Sequence, residues 1–247
     1  MDFKHKDGDA LGGMQPAHGS FILPLERSRT DSAAHALRVF RAVMPYQALT
    51  WMHAFGKKAL TQAQVEMLSK GVEVPSAPEE EKNLALRFLQ AGARALELAG
   101  DGKFSFSEEF FVILLQALSG AAEPLRDSGA GFAFLEQRVK DRRLRAFNGF
   151  LYVLWEHPGS ITHALAAALF LNSALASWGW CPASVPAKDD ELFALRLSAF
   201  MRDGRADGML RFFESVLKRV HAAHLRFAKS NGAQGRAALF PDFPAGM

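Results

Sequence analysis

The chain has 247 residues, 49% of them hydrophobic, enough for one large domain or two small ones with a sizeable core. A formal net charge of +3 is too small to mark a nucleic-acid binder by itself. The single cysteine, Cys181, excludes an intrachain disulfide and a thiolate-rich zinc site and fits a reducing, cytoplasmic setting.

Residues 1–19 mix Gly, Asp, Lys and His without apolar periodicity, so a flexible arm is expected there. Their start lacks an apolar run, and no cleavable signal peptide is expected. Residues 20–25 (SFILPL) form a short apolar stretch, broken by Pro24 and suited to an extended segment. The first helix begins at Thr30 or Asp31 and repeats apolar residues at Ala34, Leu37, Phe40, Val43 and Met44. Pro45 stops it or opens the next helix, over 46–55. Thr61 caps a short helix to Ser69, and Gly71 ends it. A two-proline linker, VEVPSAP, follows. It suggests a small helical unit over 20–74 ahead of a main bundle over 78–229.

Pro78 followed by Glu79, Glu80 and Glu81 starts a helix that should run to about Leu98, because a first-turn proline and negative charge both suit a helix N-terminus. Ser107 caps the next helix, over 108–118. Residues 129–155 read as one long or one broken helix, with Asn148-Gly149 as the expected break. Ser160 opens an Ala-rich helix whose apolar residues surround its axis. Its length and its His163, Asn172, Ser173 and Ser177 argue for a buried central helix, not a membrane span. Asp189 or Asp190 starts a helix over 191–201, and the last helix covers about 206–229. Residues 230–247 form a tail punctuated by Pro and Phe. The sum is an all-α, irregular multi-helix bundle of about eight or nine helices around the Ala-rich one, with no internal repeat. The 21 phenylalanines have no polar handle and belong inside or in an interface.

Four features bear on chemistry. Residues 97–108 and 203–214 resemble calcium loops in their acidic first and fifth positions, central glycine and final glutamate. Both fail at the third position, where Ala99 and Arg205 stand, so helix-capping turns are expected, with a degenerate calcium-responsive module as an alternative. His221 and His224 lie three apart on the last helix, and His163 or His157 could join them only through the fold; that would make an enzyme with a His-containing site. Cys181, beside Trp180 and Pro182, is expected to be a buried, inert thiol.

Basic residues carry the remaining signal. Arg138, Lys140, Arg142, Arg143 and Arg145 form one cluster, with Arg138, Arg142 and Arg145 expected on a single helical face. Lys218, Arg219, Arg226, Lys229 and Arg236 form a second, uninterrupted by acids. Such faces can track a phosphate backbone. No catalytic, metal or cofactor motif is present, so no cofactor is expected. The leading expectation is a non-catalytic subunit of a larger assembly. Its partners would be other protein subunits, with nucleic-acid backbone contact as a possible second role and no membrane.

Overall fold

The computed structural model describes residues 10–17, 32–120 and 129–229. These residues form ten α-helices and no β-strand. The helices are α1 (Ala33–Ala42), α2 (Met44–Ala54), α3 (Gln62–Ser69), α4 (Glu79–Gly100), α5 (Glu108–Ser119), α6 (Gly129–Arg138), α7 (Arg142–Glu156), α8 (Ile161–Ser177), α9 (Asp190–Asp203) and α10 (Asp207–Lys229). A single 3-10 turn, Ala187–Asp189, precedes α9.

Most boundaries are set by side chains that satisfy the free N–H groups of a first turn. The hydroxyls of Ser32, Ser107 and Ser160 accept from the backbone N–H three residues on. Thr61 and Gln64 bond reciprocally as a capping box at α3. The Pro78-Glu-Glu-Glu start opens α4 as expected.

The Ala-rich helix α8 is the axis of the bundle. Every residue from Ala164 to Ala176 is buried, and α1, α4, α5 and α7 pack around it. Small alanine side chains let these neighbours approach closely, and a helix that is apolar all round must be buried. No helix among the described residues is long and apolar enough to cross a membrane. Helices α9 and α10 pair with each other and seat against α2 and α1 respectively. One hydrophobic core unites the region 32–74 with the helices from α4 onward, so the linker before α4 does not separate two cores. Aromatic rings fill two zones of it. Trp51, Phe150, Phe193 and Phe213 surround one; Phe106, Phe132 and Phe170 surround the other, with centroid separations of 5.1–5.5 Å.

Two expectations fail for physical reasons. The break in 129–155 falls at Val139-Lys140-Asp141, where the Asp141 carboxylate accepts from the N–H groups of Arg143 and Leu144 and so starts α7. Asn148-Gly149 instead lies inside α7. The Asn148 amide pairs with the backbone of Ala17, accepting from its N–H at 3.2 Å and donating to its carbonyl. Gly149 leaves room for the Phe106 ring, whose Cζ would stand 2.9 Å from an added Cβ. The second correction concerns the arm. Within 1–19, residues 10–17 pack on the bundle: Leu11, Met14 and Ala17 are buried, and the Trp155 indole donates to the Gly12 carbonyl at 2.8 Å. The remaining arm residues, SFILPL and the 230–247 tail lie outside the described residues.

The segment 181–186 after α8 is buried although it is not helical. Buried backbone polar groups need partners, and Asn172 supplies one, accepting from the Ala183 N–H at 2.7 Å. The same side chain donates to Gln47 Oε1 at 2.9 Å, which also receives the Trp51 indole N–H.

Candidate interaction surface

The first basic cluster is divided by the helix break. Arg138 ends α6, while Arg142, Arg143 and Arg145 stand in the first turn of α7, so the expected single face of Arg138, Arg142 and Arg145 does not form. Several of these groups are already engaged. Arg143 pairs with Asp141 at 2.7 Å and lies over the Trp180 ring, 4.7 Å from its centroid. Arg145 is 13% exposed, donates to the Val139 carbonyl and faces Glu136 at 3.7 Å. Arg142 lies over Trp178 and Arg138 over Phe134. Lys140 is exposed.

In the second cluster, one Arg219 guanidinium nitrogen donates to both oxygens of the Asp189 carboxylate, at 2.9 and 3.2 Å, tying α10 to the start of α9. Lys218 and Arg226 are exposed. Lys229 closes α10, with its side chain outside the description, and Arg236 lies outside the described residues.

The histidines do not converge. His163, in the first turn of α8, bonds the Ser160 hydroxyl at 2.7 Å and stacks on His157 with ring centroids 4.0 Å apart. Burial and the neighbouring His163 push His157 down to about 4. His221 and His224 are buried on α10, and His224 lies against the segment that follows α8. His224 Nδ1 meets the Pro182 carbonyl at 3.1 Å, and Nε2 meets the Ser184 hydroxyl at 3.5 Å. Lost solvation pushes both imidazoles down to about 3. No group of three or more His, Cys, Asp or Glu side chains among the described residues could hold a metal.

The two loops resembling calcium sites are helix junctions. Residues 97–100 still belong to α4, and the acids at the first and fifth positions pair with Arg94 and Lys103. Asp203 ends α9, Gly204 takes the left-handed conformation at φ 69°, and Asp203 Oδ1 accepts from the Arg205 N–H. Cys181 is fully buried, and burial pushes its thiol up to about 12.

Among the described residues α9 is the helix with two exposed large hydrophobic side chains, where α3 and α5 have one each, Met67 and Ile113. Phe193 and Phe200 point inward, but Leu192 and Leu195 are exposed, at 41% and 67%. Two clefts adjoin the C-terminal half of this helix. One, of about 300 Å³, is lined by apolar side chains that include Phe55, Leu154, Ile161, Leu197 and Met201, and by His157 and Ser160. The other, of about 270 Å³, is lined by Arg196, Ala199, Phe200, Asp203, Arg205, Asp207, Gly208 and Arg211. None of its three guanidinium groups has a salt-bridge or hydrogen-bond partner among the described residues. Helix α9 thus carries an apolar ridge of two exposed leucines, an arginine-lined cleft and an apolar cleft.

The sequence carries a trace of this surface. Phe193, Leu197 and Phe200 are spaced as a buried stripe, and Leu192 and Leu195 fall off it. The arginines of the cleft come from two helices and the turn between them, so no local run reveals them. No protein-family model, curated protein or solved structure matches the chain.

Proposed function

We propose that the chain is a non-catalytic helical subunit of a larger assembly in a reducing compartment, and that it docks a partner protein across α9. The observation that carries this reading is the exposure of Leu192 and Leu195 on a helix that also lines two clefts. Aliphatic side chains in that setting gain most when a partner removes them from water. The enzyme alternative has less support, because His163 sits with His157 while His221 and His224 sit elsewhere, and Ser160 serves as a helix cap. The calcium alternative is weakened by the ion pairs of Glu97 and Asp101. Nucleic-acid contact through the two clusters singled out in the sequence is the weaker part of the assembly reading. Arg143, Arg145 and Arg219 would have to exchange internal acids for phosphates.

The test is retention of the native partner by a tagged chain expressed in its own host. Leu195→Asp should release the partner, and Val72→Asp, at another exposed aliphatic position, on the loop after α3, should keep it. A partner kept by both variants, or none bound by the unaltered chain, overturns the proposal.

A further inference from the structure

The nature of the partner follows from the lining of the second cleft, and this step rests on the α9 reading above. Leu192, Leu195, Arg196 and Ala199 recur at i, i+3, i+4 and i+7, the spacing that places side chains on one helical face. Arg196 therefore stands where the apolar ridge meets the cleft, and Arg205 and Arg211 face it from the next turn and from α10. Unpaired guanidiniums are weakly hydrated forked donors matched to carboxylate geometry. We propose that this cleft receives a carboxylate side chain of a partner segment whose neighbouring aliphatic side chains seat on Leu192 and Leu195.

Three features favour an acidic, aliphatic peptide over a phosphodiester strand. Asp203 and Asp207 line the same cleft, so its formal charge is only +1, enough for one carboxylate but unfavourable to a run of phosphates. The exposed leucines offer contact that phosphates and riboses cannot use. The one aromatic ring in the lining, Phe200, is buried at 1% exposure, so no stacking platform faces outward. A helix-in-groove arrangement, with an acid one turn from aliphatic anchors, satisfies both halves of the surface.

The experiment pans a display library of random dodecapeptides against the full chain, with the double variant Arg196→Glu/Arg211→Glu as the counter-target. Both positions are exposed or line the open cleft, and helix content by circular dichroism confirms that the variant is folded. Binders should be enriched in Asp or Glu three or four residues from Leu, Ile, Val or Met. They should lose about tenfold or more in affinity for the double variant, as expected when two charge pairs become two repulsions. Exchanging Glu for Lys in a selected peptide should restore its binding to the variant. Oligothymidylate, measured alongside, should bind more weakly than the selected peptides. Peptides without acidic enrichment, unchanged affinity for the variant, or no rescue by the exchange would each overturn the proposal. Tighter oligothymidylate binding that is lost in the variant would assign the cleft to nucleic acid instead. Failure of these peptide results, with partner release by Leu195→Asp intact, would leave the α9 docking surface standing and remove only the acidic partner.

Discussion

Replacing Asn172 by alanine tests how the buried segment 181–186 is held. Asn172 accepts from the Ala183 N–H at 2.7 Å and donates to Gln47 Oε1 at 2.9 Å, and all three residues are fully buried. In the variant Gln47 Oε1 keeps the Trp51 indole, so it loses one of two bonds, a net cost of about 1 kcal/mol. The Ala183 N–H is left without its partner, which costs about 1–3 kcal/mol. The sum, about 2–4 kcal/mol, should lower the melting temperature by roughly 10 °C for a domain of this size. The loss should also be local. Cys181 is fully buried and its thiol is pushed up to about 12, so the unaltered protein should resist a thiol reagent. Loosening of 181–186 should make Cys181 react before global unfolding. Thermal melts followed by circular dichroism and timed thiol labelling read the two effects. An alanine variant with unchanged melting temperature and a protected Cys181 would show that Asn172 does not anchor the segment.

Three further outcomes are expected. Leu169→Ala, at a fully buried position on α8, should cost about 2–5 kcal/mol in urea unfolding; a few tenths would place Leu169 outside the core. Gly149→Ala should destabilise by about 1–3 kcal/mol despite alanine's better helix propensity, because the Phe106 ring stands 2.9 Å from the new Cβ; Phe106→Leu in the same chain should recover part of the loss, and no recovery would locate the clash elsewhere. His221 and His224 are held neutral with pKa values pushed down to about 3, against 6.5 when solvated, so the unfolded chain takes up more protons below pH 6.5. Their contribution is complete above pH 6.5 and fades as the pH falls toward 3, and His221→Gln/His224→Gln should flatten the denaturation midpoint over that window; an unchanged slope would contradict it.

Helix positions were legible where a local chemical signal set them. Thr61, Ser107, Ser160 and the Pro78-Glu-Glu-Glu run each act within a few residues of their own place in the chain. The Ala-rich stretch was legible for the same reason, since apolar residues on every face leave only burial. What the sequence concealed depends on distant partners. Asn148-Gly149 has the composition of a turn, yet the Ala17 backbone and the Phe106 ring hold it inside α7. Leu11 and Met14 looked like parts of a flexible arm because two apolar residues show no period, and only the docked surface gives them a place. The basic clusters are visible as composition, and Glu136 and Asp141 stand in sequence among the first of them, whereas Asp189 lies 30 residues from Arg219 and reaches it only through the fold. The candidate surface on α9 was the least legible feature. An exposed leucine and a buried one are the same letter, and the arginines around the second cleft are separated in sequence by a helix end and a turn.

The central claim is that α9 is the partner-binding face. Hydrogen exchange read by mass spectrometry, comparing the free chain with the complex isolated from its own host, tests it directly. Protection on binding should fall on residues 190–211, which cover α9 and the start of α10, with α3 and the loop after it unchanged. Protection confined to the α6–α7 region or to α3, with α9 exchanging as in the free chain, would contradict the account.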